Sequence, residues 1–278
     1  MSEITAHHGL LKNVELHADD TGGPGRPVVL IHGWPLSGES WSEQAPPLAG
    51  AGYRVVTYDR RGFGRSSKPR TGYDYDTFAD DLAAVLAELD LRDVTLVGFS
   101  MGGGEVARYL SRHGSDRIRS VVFAAAVTPY LRHSDDNPEG PLTDEAAAAM
   151  EKALRTDEEG FYDQFTRDFF SADGVLKVTE EQRRQALAMT GDADHHAALA
   201  AMHAWGTTDF RQDLARIDVP VLVLHGDSDG IVPLEGSGAR THRAIAGSEL
   251  AVIPGGPHGL NVSHADAFNE ILLSFLAR

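Results

Sequence analysis

The sequence contains no cysteine among its 278 residues. Disulfide bonds, thiolate nucleophiles and cysteine-ligated zinc or iron–sulfur centres are therefore excluded. Positive charge is also scarce: 25 lysines and arginines stand against 41 acidic residues, which gives a formal net charge of −16 with neutral histidines. Because lysine and arginine supply most of the affinity for a phosphate backbone, this balance argues against binding to nucleic acid and to anionic lipid.

Long hydrophobic runs are missing as well. The longest apolar stretch, residues 121–127, is far shorter than the roughly 20 residues of a membrane-spanning helix. Residues 1–10 contain Glu3 and two histidines and lack the basic start and apolar centre of a signal peptide. With 24% charged and 42% hydrophobic residues, the composition is typical of a globular chain. We therefore expect a soluble, cytoplasmic protein without a membrane partner.

Short apolar segments bounded by glycine and proline recur along the chain. They lie at residues 27–32, 54–59, 94–99, 118–127, 219–225 and 250–254. Continuous apolar runs of this length suit strands that are buried on both faces of a parallel sheet. Helical apolar stripes at residues 76–91 and 102–113 alternate with them. The order predicts a doubly wound, mostly parallel α/β sheet, with residues 11–19 as an edge strand near the N-terminus.

This alternation is interrupted after Val127, and about ninety residues pass before the next strand signal at Val219. The interruption begins with a loop rich in proline, aspartate and asparagine. Helical patterns follow at residues 143–154, 160–170, 179–190 and 195–204. We predict a helical cap over residues 129–213, inserted into a single α/β core of residues 1–128 and 214–278. The alanine run at 146–149 favours helix and carries no other signal.

A serine framed by glycines follows the third predicted strand. Gly98-Phe99-Ser100-Met101-Gly102 lies between this strand and a helical stripe, which is the context of a nucleophile elbow. The sharp turn would expose the Ser100 hydroxyl, and Gly98 and Gly102 allow the close backbone approach that it needs. We expect the Met101 backbone N–H to stabilise a developing oxyanion.

An acyl-transfer serine needs a base and an orienting carboxylate, in the chain order serine, acid, histidine for this kind of fold. Asp229 and His258 each follow a predicted strand, where open α/β sheets build their sites. Asp227 is an alternative acid, and we favour Asp229 because it lies deeper in the loop and precedes Gly230. His264 is a rival base, but it falls at the start of the last helix, where a surface or capping role suits it better.

His32-Gly33-Trp34-Pro35 follows the first predicted strand, so the Trp34 backbone N–H is the second candidate oxyanion donor. Pro35 fixes its own φ and restricts Trp34 to an extended conformation, which gives the Trp34 carbonyl a defined direction. We expect Pro35 and Phe99 to lie at the substrate pocket. The other histidines are scattered and form no His-Glu-x-x-His pattern, so we expect neither a metal nor a cofactor.

These segments resemble the α/β-hydrolase superfamily, and within it the cofactor-free bacterial haloperoxidase (non-haem chloroperoxidase) and arylesterase (perhydrolase) group. The similar stretches lie at residues 32–35, 58–67, 73–79 and 98–105, and the cap is the least informative part. The resemblance implies Ser100, Asp229 and His258 as the catalytic triad, and the amides of Trp34 and Met101 as the oxyanion hole. It also implies no metal and often a homo-oligomer. Trp-Pro at 34–35 is similar to members with marked perhydrolase activity.

The chemistry that this resemblance implies is cleavage of small carboxylic esters through an acyl-enzyme, which water or hydrogen peroxide then cleaves. With peroxide the product is a peracid, which oxidises halide away from the enzyme. Haloalkane dehalogenases and epoxide hydrolases share the fold but need a carboxylate nucleophile, and Ser100 argues against both. Two alternatives keep the triad: a hydrolase of C–C bonds or of another acyl substrate, and a ligand-sensing α/β hydrolase.

Overall fold

The computed structural model describes residues 2–8 and 12–278, in which strands and helices alternate. The strands are β1 Ser2–His8, β2 Lys12–Asp20, β3 Pro27–Ile31, β4 Arg54–Tyr58, β5 Val94–Phe99, β6 Ile118–Ala124, β7 Ser171–Ala172, β8 Val175–Leu176, β9 Val221–Gly226 and β10 Glu249–Ile253. The α-helices are α1 Ala45–Gly50, α2 Tyr75–Glu88, α3 Met101–His113, α4 Asp144–Thr156, α5 Glu158–Phe169, α6 Glu180–Thr190, α7 His195–Thr207, α8 Arg211–Leu214, α9 Gly238–Ala244, α10 Leu260–Ser263 and α11 Ala265–Leu276.

Eight strands form one sheet in the order β1-β2-β4-β3-β5-β6-β9-β10. The strands from β4 to β10 in this order are parallel to one another, whereas β2 pairs antiparallel with β4 and β1 pairs antiparallel with β2. Every residue of β5 and of β9 is buried, as expected of strands that are covered on both faces. The predicted mostly parallel α/β sheet is therefore confirmed.

The N-terminal side of the sheet differs from the prediction. The strand predicted at residues 11–19 is β2, and it is not an edge strand because it lies between β1 and β4; residue 11 itself lies outside the described residues. Strand β1 was not predicted, because residues 2–8 contain no continuous apolar run. Its place in the sheet comes from backbone pairing with β2, from Ser2 opposite Ala18 to His8 opposite Lys12.

Two strand ends also differ from the prediction, each for a backbone reason. Strand β6 ends at Ala124 rather than at Val127, because Ala125 adopts a left-handed φ of 44° that a strand cannot continue through. Strand β9 begins at Val221 rather than at Val219, after Pro220, which has no N–H to donate to a neighbouring strand. The apolar run therefore extends beyond the strand in both cases.

Helices α4 to α8 lie in the segment between β6 and β9. Thr143 caps α4 by accepting a hydrogen bond from Ala146 N at 3.2 Å, and Thr179 caps α6 in the same way with a capping box to Gln182. The hairpin of β7 and β8 was not predicted. Its turn is Asp173-Gly174, with left-handed φ values of 53° and 73°, and an Asp-Gly pair is a hairpin signal that does not depend on an apolar run. The cap boundaries at 129 and 213 stay a prediction.

Candidate active site

Ser100 lies at the turn between β5, which ends at Phe99, and α3, which begins at Met101. Its φ of 53° and ψ of −118° are rarely adopted by residues other than glycine. The turn is tight enough to require its glycines: a Cβ on Gly98 would lie 2.5 Å from the Gly102 carbonyl oxygen, and one on Gly102 would lie 2.6 Å from the Ile31 carbonyl oxygen. This backbone is the predicted strand–turn–helix elbow.

The side chains of Ser100, His258 and Asp229 form one hydrogen-bonded line. Ser100 Oγ lies 2.9 Å from His258 Nε2, and His258 Nδ1 lies 2.7 Å from Asp229 Oδ2. All three residues are buried, with exposures of 7%, 1% and 5% in the same order. Because a carboxylate only accepts hydrogen bonds, Nδ1 of His258 carries the proton and Nε2 is free to accept from the Ser100 hydroxyl.

Asp229 is held by donors on both of its oxygens. Its Oδ1 accepts the backbone N–H groups of Ile231 and Val232 at 2.9 and 2.8 Å. His225 Nε2 lies 3.3 Å from Oδ2 and donates to the Val232 carbonyl at 2.8 Å. Burial by itself raises the pKa of Asp229, but the charge of His258 and the hydrogen bonds from His225 and His258 outweigh it and hold this pKa below its usual range.

The two alternatives from the sequence have different neighbours. Asp227 is exposed, and its Oδ1 accepts hydrogen bonds from Gly255 N at 2.7 Å and from Ser228 Oγ at 3.1 Å. It therefore ties together two loops at the end of the sheet. His264 precedes α11 and its Nδ1 lies 2.9 Å from Ser263 Oγ. The structure brings Asp229 and His258, not this second pair, to Ser100.

The segment that carries Trp34 runs past the elbow. A Cβ on Gly33 would lie 3.1 Å from Ser100 Cβ and 2.8 Å from the Phe99 ring, so the backbone before Trp34 touches the serine. The Trp34 indole N–H donates to the Ala198 carbonyl of α7 at 2.9 Å. Pro35 follows as a buried residue, after a cis peptide bond. The two candidate oxyanion donors, the amides of Trp34 and Met101, therefore belong to chain segments that flank Ser100.

Aromatic side chains enclose the imidazole of His258. The ring of Phe99 lies 5.2 Å from the His258 ring, and the ring of Phe169 lies 5.1 Å from it on another side. Phe169 ends α5 of the cap segment and was missed by the sequence reasoning. A signal existed: Phe161, Phe165 and Phe169 recur at helical spacing, and their rings pack in sequence along α5.

A second buried network, also missed from the sequence, joins the segment before Trp34 to helix α3. The Arg60 guanidinium donates to Glu105 of α3 at 2.7 Å and to the His32 carbonyl at 2.9 Å. The Arg60 backbone N–H donates to His32 Nε2 at 2.9 Å. Burial lowers the pKa of Arg60 to about 10 and holds the pKa of His32 well below its usual value, so the His32 ring is neutral.

Metal-ligand clusters and membrane-spanning helices are both absent from the part of the chain that the structure describes. Among the described side chains, which are those of residues 14–278, no cluster of three or more histidine, aspartate or glutamate residues could hold a metal ion. None of the helices described there has the length and apolar character to cross a membrane. The metal-free mechanism stays a prediction, which chelation tests.

Comparison with known proteins gives the family of this fold and site. The family described as the alpha/beta hydrolase fold matches residues 26–265, which include the serine, the aspartate and the histidine of the hydrogen-bonded line. The chain belongs to the α/β-hydrolase family. In this α/β hydrolase, the elbow and the two loops that follow β9 and β10 are thus part of the matched region.

Several similar proteins are haloperoxidases and perhydrolases by name. A non-haem chloroperoxidase of Kitasatospora aureofaciens is 44% identical over 257 residues, which cover 91% of this α/β hydrolase and 93% of the relative. A bifunctional esterase/perhydrolase of Acinetobacter calcoaceticus is 37% identical and covers 99% of both chains. The crystal structure of a bromoperoxidase from Bacillus anthracis is 51% identical, with a TM-score of 0.95 over 100% of both chains. The resemblance to the haloperoxidase and perhydrolase group is confirmed.

Proposed function

We propose that this α/β hydrolase cleaves small carboxylic esters, with Ser100 as the nucleophile, His258 as the general base and Asp229 as the carboxylate that orients His258. The observation that carries the proposal is the hydrogen-bonded line from Ser100 Oγ to His258 at 2.9 Å and on to Asp229 at 2.7 Å. A relative that is named a bifunctional esterase/perhydrolase supports the same chemistry.

In the first half of the reaction, Ser100 Oγ attacks the ester carbonyl carbon while His258 Nε2 takes the hydroxyl proton. The carbonyl oxygen gains negative charge, and the backbone N–H groups of Trp34 and Met101 stabilise it. Met101 is the first residue of α3, so the positive end of the helix dipole adds to this stabilisation. The tetrahedral intermediate then expels the alcohol, which takes the proton from His258 and leaves the acyl group on Ser100.

Asp229 stays ionised through this cycle because its pKa is held below its usual range. It therefore stabilises the imidazolium of His258 rather than taking its proton. His225 acts as a positioning residue, since its Nε2, which donates to the Val232 carbonyl at 2.8 Å, also lies 3.3 Å from Oδ2 of the same carboxylate. Together with the two backbone amides on Oδ1, it fixes the carboxylate plane that faces His258.

In the second half, His258 activates the molecule that cleaves the acyl-enzyme. Water gives the carboxylic acid, and hydrogen peroxide gives the peracid with the same proton transfers. Away from the enzyme, a peracid oxidises bromide to hypobromous acid and becomes a carboxylate, so halogenation follows from perhydrolysis and requires no haem. The names of the chloroperoxidase and bromoperoxidase relatives support this second activity.

A panel of esters with graded acyl chains, assayed with and without hydrogen peroxide, tests the function. We expect carboxylic acid without peroxide, and peracid together with bromide oxidation when peroxide is present. Turnover of a dienone acid instead of esters would favour a C–C bond hydrolase, and binding without turnover would favour a ligand-sensing protein. The cytoplasmic location and the homo-oligomer stay predictions alongside this function.

Ester hydrolysis should survive chelation. We expect kcat/KM for p-nitrophenyl acetate to be unchanged after exhaustive dialysis against EDTA, because every proton transfer and the oxyanion contact are made by protein groups. The measurement is the initial rate before and after dialysis, with a zinc hydrolase as the positive control. Loss of activity that one added metal ion restores would contradict the serine mechanism.

Pro35 should favour peroxide over water. None of the described backbone N–H groups donates to the Trp34 carbonyl oxygen, and we propose that Pro35 aims this oxygen into the site as an acceptor. The second O–H of hydrogen peroxide lies one oxygen further out than that of water, and a fixed acceptor can bind it selectively. Such a contact is worth about 1 kcal/mol, or several-fold in rate.

We therefore expect Pro35→Leu to lower the ratio of peracid to carboxylic acid several-fold while ester hydrolysis stays largely intact. Both products are measured from the same ester at one peroxide concentration, so hydrolysis serves as the internal control. An unchanged ratio in a folded Pro35→Leu protein would remove Pro35 from the mechanism and leave it a role in the turn alone.

A further inference from the structure

The Trp34 N–H, which the proposed function uses as an oxyanion donor, belongs to the peptide group that joins Gly33 to Trp34. This peptide is trans, so its C=O and its N–H point in opposite directions within one plane. The direction of the Gly33 carbonyl therefore fixes the direction of the Trp34 N–H. None of the described backbone carbonyls accepts a hydrogen bond from this N–H, so the backbone hydrogen bonds to this peptide are made at its carbonyl alone.

Gly33 gives this peptide group more rotational freedom than another residue would give it. A Cβ at Gly33 would lie 2.8 Å from the Phe99 ring and 3.1 Å from Ser100 Cβ, so glycine is needed for the segment to pass the elbow. Glycine, however, restricts the backbone torsions that rotate a peptide plane less than any other residue does. The site therefore needs a constraint on the Gly33–Trp34 peptide that Gly33 itself does not provide.

The Gly33 carbonyl oxygen has two hydrogen-bond donors close to it. His32 Nδ1 lies 2.8 Å from this oxygen, and the Leu36 backbone N–H donates to it at 3.1 Å. The His32 side chain is completely buried, and the edge of its ring packs against the ring of Phe63 with centroids 6.0 Å apart. Water therefore does not compete for the contact between His32 and the carbonyl.

The direction of the His32 hydrogen bond follows from its second ring nitrogen. The Arg60 backbone N–H donates to His32 Nε2 at 2.9 Å, so in a neutral ring Nε2 accepts and Nδ1 carries the proton. Burial and the charge of Arg60 hold the pKa of His32 well below its usual value, which keeps the ring neutral. Arg60 Nη1 lies 3.5 Å from Nδ1, which is too long for a strong hydrogen bond. His32 Nδ1–H therefore donates to the Gly33 carbonyl.

We propose that His32 is a positioning residue of the oxyanion hole: its Nδ1–H holds the Gly33–Trp34 peptide so that the Trp34 N–H points at the oxyanion that develops on the ester. This inference rests on the proposed esterase function. A donor on the carbonyl also polarises the peptide, which strengthens the hydrogen bond that its N–H donates. Because removal of a whole oxyanion donor costs about 10²- to 10³-fold in kcat, we expect the loss of its orienting hydrogen bond to cost about ten- to hundredfold.

Two amide substitutions separate the two hydrogen bonds of the His32 ring. The side-chain nitrogen of His32→Asn takes the place of Nδ1, because both atoms are bonded to Cγ, so this variant keeps the donor to Gly33 and loses the acceptor for the Arg60 N–H. The side-chain oxygen of His32→Gln takes the place of Nε2, one atom further out, so this variant keeps the acceptor and loses the donor. Thr95→Val is the control for stability, because it removes a buried hydrogen bond of 2.8 Å between the hydroxyls of Thr95 and Ser120 near the start of β5.

The experiment measures kcat/KM for p-nitrophenyl acetate and for p-nitrophenyl thionoacetate, in which sulfur replaces the carbonyl oxygen, together with the temperature of thermal unfolding. Sulfur is a weak hydrogen-bond acceptor, so the ratio of the two rates reports how well the oxyanion is bound. We expect His32→Gln to lower kcat/KM for the acetate about ten- to hundredfold and to lower the oxygen-to-sulfur ratio. His32→Asn and Thr95→Val should keep the ratio of the unmodified protein. Stability should rank the other way, with His32→Asn unfolding at a lower temperature than His32→Gln, because the buried Arg60 N–H loses its acceptor.

A loss of rate that is equal for the acetate and the thionoacetate, or that follows the unfolding temperature across the variants, would leave His32 a structural role and overturn the proposal. The same conclusion would follow from ¹⁵N NMR spectra of the unmodified, histidine-labelled protein in which Nε2 rather than Nδ1 of His32 carries the proton, and this measurement needs no variant to fold. Ester turnover by the unmodified protein that does not depend on Ser100, or no turnover, would instead overturn the proposed function.

Discussion

Ser100→Ala abolishes the hydrolysis of p-nitrophenyl acetate, with an expected loss on the order of 10⁴ to 10⁶ in kcat/KM. The reason is that Ser100 Oγ, which lies 2.9 Å from His258 Nε2, is the oxygen to which we propose that the acyl group is transferred. Substrate binding and the proposed oxyanion contacts of the Trp34 and Met101 amides would account for the residual rate. The measurement is the steady-state rate, corrected for spontaneous hydrolysis of the ester.

A phosphonate probe gives an independent test of the same residue. We expect the unmodified protein to bind one mole of probe per mole of protein, and Ser100→Ala to bind none. Ser274→Ala is the control, because Ser274 is exposed on α11 and should be labelled as fully as the unmodified protein. Labelling that persists in Ser100→Ala would show that the nucleophile is another residue. In the rate measurement, rapid ester turnover that depends on Ser100 would exclude the alternative of a ligand-sensing protein.

Asp229→Asn should reduce kcat/KM by about 10⁴, whereas Asp227→Asn should reduce it by less than about tenfold. An asparagine amide facing His258 donates rather than accepts, so it would stabilise the wrong tautomer and leave Nε2 unable to take the Ser100 proton. Asp227 binds Gly255 N and Ser228 Oγ instead, and an asparagine carbonyl can still accept a hydrogen bond there.

Asp227→Asn is the matched control for Asp229→Asn, since both variants replace an aspartate by its amide isostere in the same loop. Rates should be compared at several pH values, and circular dichroism should show that both proteins are folded. The opposite ranking, with the larger loss in Asp227→Asn, would move the orienting carboxylate to Asp227. Equal small losses would show that His258 needs neither carboxylate for its orientation.

Local sequence patterns were sufficient to predict the features that lie within a single segment of the chain. The buried strands β5 and β9 are continuous apolar runs, so the interior of the sheet could be predicted. The elbow was recognisable because Gly98, Ser100 and Gly102 lie within five residues and their spacing reflects a steric need of that turn. Asp229 and His258 could be named because parallel strands end at one edge, so loops distant in sequence meet there.

The sequence by itself thus determined the α/β class, the position of the proposed nucleophile Ser100 and the two loops that face it. Only the tertiary structure decided what surrounds them: His225 beside Asp229, Phe169 beside His258, and Trp205 beside Trp34. The same holds for β1, which pairs by its backbone without an apolar run. The physical reason is that periodicity reports which face of an element is buried, whereas the partner on that face depends on how distant elements pack.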